Sequence, residues 1–328
     1  MAKTALIFGI SGQDGAYLAK FLLEKGYSVS GTSRDRESIR FENLRRLKIL
    51  DQVTLRTASL ADFRSVVQVI KEANADEIYN LAGQSSVSLS FDQPVESIDS
   101  TVNGTISILE AMRFLASKAR LYNASSSECF GNTVDGPANE QTSFRPCSPY
   151  GIGKAAAQWL VSNYREAYGL FACSGILFNH ESPLRPARFV TKKIIQGAFD
   201  VAEGKIEALS LGNLEIGRDW GWAPEYVDAM WRMLQFDRPE DFVIATGQMR
   251  RLQDFVDLAF SSVGLDWNQH VKVSPGLLRP LDIRMSVGNA DKARELLGWE
   301  AETKFEKMVE KLIAAEREER RAQGNVSV

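Results

Sequence analysis

A short apolar run, Thr4 to Phe8, ends on Gly9-Ile-Ser-Gly12-Gln13-Asp14-Gly15 and passes straight into a helical pattern from Ala16 to Lys25. Glycines at a strand-to-helix turn let the backbone approach a pyrophosphate, while the helix N-terminus supplies N–H donors and a favourable dipole. Further apolar runs follow at Ser28 to Thr32, Val53 to Thr57, Glu77 to Leu81, Arg120 to Ala124 and Cys173 to Phe178. Helical patterns separate them at Asp62 to Ala73, Ser100 to Phe114 and Tyr150 to Tyr168. Strand and helix in strict alternation predict an α/β fold with a doubly wound parallel sheet of the Rossmann type, covered on both faces.

The alternation weakens after Phe178. Helices are expected at Val190 to Glu203, Pro224 to Gln235, Leu252 to Val263 and Asp291 to Leu297, joined by longer loops. Residues 1–178 are therefore read as a dinucleotide-binding domain. Residues 179–328 are read as mainly a smaller, discontinuous C-terminal substrate-binding lobe, some of whose segments return to the first domain. It would sit over the carboxyl ends of the strands, where open parallel sheets place their ligands. The run from Glu316 to Arg321, ending in Gly324 to Val328, is expected to be a solvated helix end and a frayed tail.

Charge narrows the partners. A formal net charge of -3 over 328 residues, with no basic stripe interleaved with aromatics, argues against nucleic acid. No apolar stretch reaches the ~18 residues of a membrane span, and Ala5 to Phe8 is too short for a signal sequence, so a cytoplasmic enzyme is the expectation. Three cysteines (Cys129, Cys147, Cys173) and two histidines (His180, His270) lack metal-ligand spacing, so neither a metal site nor a disulfide framework is expected.

The chemistry is concentrated between the fifth strand and the helix after it. Ser126-Ser127-Glu128 closes the apolar run, and Tyr150 and Lys154 follow, four residues apart and so on one side of a helix. An ammonium so placed lowers the phenol pKa and makes Tyr150 a base for hydride chemistry. Glu128 adds a second base. Alcohol oxidation alone does not need one, whereas taking a proton from carbon beside a new ketone does. The extra carboxylate points to a dehydratase.

Cofactor type is read at the end of the second strand, in Ser33-Arg34-Asp35-Arg36. A carboxylate there suits a ribose 2'-hydroxyl and arginines suit a 2'-phosphate, so Arg34 and Arg36 around Asp35 favour NADP, with NAD as the alternative. Leu81-Ala82-Gly83-Gln84-Ser85 offers small and hydroxylated residues for a wall of the nicotinamide pocket.

Longer stretches carry a resemblance. Tyr79-Asn-Leu-Ala-Gly-Gln-Ser85, Ser125-Ser-Ser-Glu128, Ser148-Pro-Tyr-Gly-Ile-Gly-Lys154, Gly175-Ile-Leu-Phe-Asn-His-Glu-Ser-Pro183 and Arg218-Asp-Trp-Gly221 resemble the GDP-mannose 4,6-dehydratase family of the extended short-chain dehydrogenase/reductase superfamily. The resemblance implies Ser126, Glu128, Tyr150 and Lys154 as the catalytic set. It implies Gly9, Gly12, Gln13, Asp14, Gly15, Leu60, His180 and Arg185 among the cofactor contacts, with Gln84 and Ser85 at the nicotinamide end. For the sugar nucleotide it implies Asn179, Lys193, Gly212, Arg218, Arg279 and Asp282 beside Ser85 and Glu128, with the two arginines on the diphosphate. Asp282 stands where the family usually has Glu, and Ser59 where an acidic residue often contacts adenine.

The expected substrate is GDP-mannose or a close relative such as a GDP-heptose. A sugar-nucleotide 4-reductase or 4-epimerase is the alternative, since it needs the Ser, Tyr and Lys but has no use for Glu128. The resemblance also implies a homodimer built from two helices per subunit, or a homotetramer completed through the basic loop Arg34 to Arg46.

Overall fold

The computed structural model describes residues 2–322 and 324. The first half comprises β1 (Thr4–Phe8), α1 (Gln13–Glu24), β2 (Ser28–Ser33), α2 (Glu42–Arg46), β3 (Thr54–Thr57), α3 (Phe63–Ala73), β4 (Glu77–Asn80), α4 (Val87–Asp92), α5 (Pro94–Ile98), α6 (Gly104–Phe114), β5 (Arg120–Ser126), α7 (Pro149–Tyr168) and β6 (Ala172–Leu177). The second half comprises β7 (Asn179–Glu181), α8 (Val190–Ala202), β8 (Leu209–Leu211), β9 (Gly217–Trp222), α9 (Ala223–Gln235), β10 (Phe242–Ile244), β11 (Met249–Arg251), α10 (Leu252–Ser261), α11 (Trp267–His270), β12 (Val271–Val273), β13 (Met285–Ser286), α12 (Asp291–Leu297) and α13 (Phe305–Ala322).

Seven strands form one parallel sheet in the order β10-β6-β5-β4-β1-β2-β3. The chain runs outward from β1 to β3, then returns to β4 on the other side of β1, so the switch point lies between β1 and β4. Both faces are covered, and the strands accordingly read as unbroken apolar runs: Ala5, Leu6, Ile7 and Phe8 are all buried. On one face α1 and α9 pack together; on the other α3, α6 and α7 do.

The seventh strand comes from the second half of the chain. Phe242–Ile244 pairs with Gly175–Leu177, and α9 and α12 pack beside it. What remains of the second half forms a smaller body around α8, α10 and α13, with a four-stranded sheet in which β9 pairs with β7, β11 and β13. Asp219 ties this body down: it accepts from Thr246 N at 2.9 Å, Thr246 Oγ1 at 2.6 Å and Gly247 N at 2.9 Å, at the exit of β10.

Two expectations need correction. The pattern from Ser100 to Phe114 is not one regular helix, because Asp99–Asn103 forms a wider π-type turn before α6 begins. More importantly, the charged run from Glu316 is not a solvated end. Glu316 and Arg320 are 3% and 7% exposed. Arg320 reaches Glu316 at 2.8 Å, Asp200 at 2.9 Å and Glu203 at 2.8 Å, and Lys192 reaches Glu316 at 2.8 Å. Polar residues four apart thus put one charged stripe of α13 against α8, in a mutually paired cluster that charge composition could not distinguish from a wet face. Of the expected tail, Gly324 to Val328, residues 325–328 lie outside the described residues.

Candidate active site

A cavity of about 450 Å³ opens at the carboxyl ends of the sheet, roofed by the smaller body. That is where the switch point of a doubly wound sheet leaves a crevice.

Its floor is the glycine turn. Gly9 has φ +85°, and a Cβ there would stand 2.9 Å from the Leu81 carbonyl carbon; one on Gly15 would stand 2.3 Å from the Gly9 carbonyl oxygen. Only glycine lets β1, β4 and α1 close up this far. Gly12 caps α1 without a side chain, so the first-turn N–H groups face the cavity uncapped. Leu81, Ala82 and Ser85 line the same wall, and Gln84 curls back to donate to the Ser86 carbonyl at 2.9 Å.

Asp14 and Gln13 link this floor to the opposite side. Gln13 accepts from Ser182 Oγ at 2.7 Å and donates to the His180 carbonyl at 3.3 Å. Asp14 lies 3.0 Å from His180 Nε2. Burial alone raises a carboxyl pKa, but the His180 charge and hydrogen bond and the Gln13 amide reverse that and hold Asp14 down to about 2. Arg185 pairs with Glu181 at 3.2 Å and stacks on Phe189 with its guanidinium carbon 3.8 Å from the ring centre.

The reactive groups stand on two adjoining elements. Ser148 caps α7 by accepting from Gly151 N at 3.0 Å, and Pro149 takes the first helical position, which fixes where Tyr150 and Lys154 point. Ser126 ends β5, and its Oγ accepts from Glu128 N at 3.3 Å, shaping the short turn that presents the carboxylate. A Cβ on Gly151 would come within 2.8 Å of the Glu128 carbonyl oxygen, so the glycine after Tyr150 is what lets this turn lie on α7.

Lys154 donates to the Ala124 carbonyl at 2.8 Å and sits 5.8 Å from the Tyr150 ring centre. Burial lowers its pKa to about 8. Contrary to the lowering expected from Lys154, the Tyr150 phenol is pushed up by burial, and the Ser126 hydroxyl works against that rise. Glu128 is also raised by burial, opposed by the nearby positive charges of Arg218 and Arg279. The result is a half-buried carboxylate of increased basicity beside a phenol and an ammonium.

Beyond Glu128 the wall turns cationic. Arg218 and Arg279 both approach Asp282 Oδ1 at 3.1 Å, which holds their guanidinium groups side by side. Arg218 also donates to the Ile283 carbonyl at 2.7 Å. Asn179 enters from β7, paired with Trp220 of β9, and Lys193 donates to the Ser210 carbonyl at 2.7 Å. A Cβ on Gly212 would meet the Leu277 carbonyl oxygen at 2.8 Å, so the loop carrying Arg279 packs on this glycine.

Three sequence-predicted residues lie outside the cavity. Arg34, 82% exposed, pairs with Glu96 at 3.8 Å, and Arg36 reaches Glu37 at 3.1 Å. Leu60 packs where a Cβ on Gly104 would come within 2.9 Å of it. All three follow the ends of β2 and β3, further along the carboxyl edge. Conversely, Glu181 and Ser88 were missed: Glu181 orients Arg185, and Ser88 Oγ accepts from Arg279 Nε at 3.2 Å. The sequence signal for Glu181 was its place directly after His180; Ser88 carries none, because it meets Arg279 only through tertiary packing.

Residues 6–312 match the family model described as GDP-mannose 4,6 dehydratase. The chain is 42% identical over 348 residues to GDP-mannose 4,6 dehydratase of Homo sapiens, covering 98% of this chain and 94% of that protein. It is 42% identical over 321 residues to GDP-mannose 4,6 dehydratase 1 of Arabidopsis thaliana, covering 95% and 89%. Among solved structures, dTDP-glucose 4,6-dehydratase of Streptomyces venezuelae with NAD and TYD bound aligns with TM-score 0.85 at 19% identity, covering 97% and 98%. UDP-glucose 4-epimerase of Thermotoga maritima with UDP-glucose aligns with TM-score 0.84 at 23% identity, covering 96% and 99%. The last two share the sheet and the lobe above it, whereas likeness to the first two runs through the chain from end to end: this protein belongs to the GDP-mannose 4,6-dehydratase family.

Proposed function

We propose that the protein removes water from GDP-mannose to give GDP-4-keto-6-deoxymannose by an internal redox cycle. The observation that carries this reading is the placement of Glu128 in one cavity with Ser126, Tyr150 and Lys154 on one side and the arginine pair on the other.

The glycine floor fits a dinucleotide: α1 has no side-chain cap, and Gly9, Gly12 and Gly15 leave its first turn open to the cavity. A nicotinamide held there by Gly9, Gly12, Gly15 and the first turn of α1 would supply the hydride acceptor for hexose C4 and the hydride donor for C6. Tyr150 accepts the O4 proton, helped by the Lys154 charge, and Ser126 donates a hydrogen bond to O4. The resulting 4-ketone acidifies C5–H, Glu128 takes that proton and passes it to the C6 hydroxyl, which leaves as water, and Tyr150 returns its proton to C5 as hydride reaches C6. Net redox is zero. Arg218 and Arg279 hold the diphosphate in bidentate fashion, with Asp282 keeping them together. Residues 1–178 thus serve the dinucleotide and residues 179–328 mainly the sugar nucleotide.

NADP is the proposed cofactor. Asp35 is spent on its own turn, accepting from Glu37 N at 2.9 Å and Ser38 N at 3.3 Å, while Arg34 and Arg36 stay exposed at the end of β2. That supports a 2'-phosphate contact over a 2'-hydroxyl one.

A homodimer is proposed through α6 and α7. Ile152 and Trp159, seven apart on α7, are 51% and 64% exposed, and Phe114 at the end of α6 is also exposed. Large apolar groups on one such face support a partner helix pair. The exposed basic loop Arg34 to Arg46 supports a further association into a tetramer, which light scattering distinguishes from the dimer. No described helix is long and apolar enough to cross a membrane, and a cytoplasmic location is proposed.

Incubating the protein with GDP-mannose and oxidised cofactor alone tests the reaction: an alkali-developed keto-sugar absorbance is expected. Consumption only with added reduced cofactor, or formation of an epimer without a ketone, contradicts it.

A further inference from the structure

His180 is 8% exposed, yet both its ring nitrogens meet hydrogen-bond acceptors. Nδ1 lies 2.7 Å from the Phe178 carbonyl oxygen and Nε2 lies 3.0 Å from Asp14 Oδ2. A carbonyl accepts only, and so does an ionised carboxylate. The other Asp14 oxygen, Oδ1, accepts from Gln13 Nε2 at 2.9 Å, and the carboxyl is held down to about 2, so Asp14 is ionised and has no proton to give to Nε2. Both contacts are hydrogen bonds only if the ring carries hydrogen on each nitrogen.

The carboxylate in question stands in the first turn of α1, the turn proposed to receive the pyrophosphate. Two anionic groups would compete there for one helix dipole. A buried cation on the far side of Asp14 removes that conflict.

We propose that His180 is held as an imidazolium whose charge cancels that of Asp14 beneath the pyrophosphate position, which makes it a positioning residue for the dinucleotide. The inference rests on the cofactor reading given above and deepens it. The groups facing the ring are Asp14 from α1, Arg185 from the loop after β7, the Phe178 carbonyl from the end of β6, and Tyr226 of α9, stacked at 4.5 Å and 25°. Burial and Arg185 work against the charge; Asp14 and the Phe178 carbonyl work for it, and the His180 pKa ends above its ordinary value. The Tyr226 face adds cation–π attraction.

The chain has two histidines, so nitrogen-15 histidine NMR of the whole protein resolves His180 from His270 without crowding. The expected spectrum shows both His180 nitrogens protonated at neutral pH, titrating above 6.5, with NADP⁺ moving that titration higher. NADP⁺ affinity should fall as His180 loses its proton. His180→Gln should bind NADP⁺ about tenfold more weakly, and adding Asp14→Asn should recover most of that loss, because no bare carboxylate remains. A merely structural histidine would leave the double variant weaker than the single one, and that result overturns the proposal. So does a neutral, single-tautomer His180 at neutral pH. Failure of the wild-type chain to bind NADP⁺ would overturn the cofactor reading instead, and the spectrum of the free protein would still decide the charge on His180.

Discussion

The two walls of the cavity are built differently. The floor under β1, β4 and β5 is made mostly of short-range geometry: glycines where strands and helix touch, a capped α7, and a Ser126–Glu128 turn and a Lys154 whose partners lie in the same turn or the adjoining strand. The opposite wall is made of charge, and its defining pairs are distant in sequence: Arg218 on Asp282, which also holds the neighbouring Arg279, and behind them α13 fastened to α8 by Lys192 on Glu316 and by Arg320 on Asp200 and Glu203. The first arrangement fixes the proposed reacting groups; the second shapes a cationic surface whose charges are paired with neighbouring carboxylates. Chemistry should therefore be lost by changes on the floor, and affinity or stability by changes on the roof.

The sharpest way to separate the two is to change Tyr150 to Phe. Loss of the proton acceptor should lower kcat by about a thousandfold, with GDP-mannose affinity by calorimetry nearly unchanged. On the roof, Glu316→Gln leaves Arg320 and Lys192 short of a buried partner, which should cost about 3 kcal/mol in urea unfolding while kcat at saturation stays near wild type. Arg279→Ala removes one charged donor from the diphosphate and should raise KM about tenfold with kcat little changed, on a loss of ~1.5 kcal/mol. A fall in kcat as large as that of the Tyr150 variant would erase the distinction.

The smallest expected effect is on pH. His180 has a raised folded-state pKa, so its contribution is complete below 6.5 and fades as pH climbs through that raised value. Asp14 is depressed, so its contribution is complete above 3.8 and is lost as pH falls through about 2. Stability from this pair should thus be flat between those limits, and thermal unfolding across pH would show an alkaline decline that His180→Gln abolishes.

The same division explains what could be read from the chain. Tyr150 with Lys154, Ser126 with Glu128, and the glycines from Gly9 to Gly15 act within one turn or across one strand end, so spacing exposed them together with the alternation that builds six of the seven strands. The seventh, Phe242–Ile244, has three residues and no period of its own; only its pairing with β6 makes it a strand. Likewise Glu316 and Arg320 look like solvent residues until α13 is laid against α8, and Ser88 is 191 residues from the arginine it supports. Arg218 and Arg279 were named only through family resemblance, since nothing local shows that Asp282 would bring them together.

The account turns on Glu128 acting as a second base after the ketone has formed. Mixing Glu128→Gln with oxidised cofactor and GDP-mannose, and following nicotinamide absorbance over one turnover, tests it directly. The first oxidation should proceed and stall, with reduced nicotinamide and an uneliminated 4-keto hexose building up together. Release of GDP-4-keto-6-deoxymannose at the wild-type rate, with no reduced nicotinamide accumulating, would contradict it.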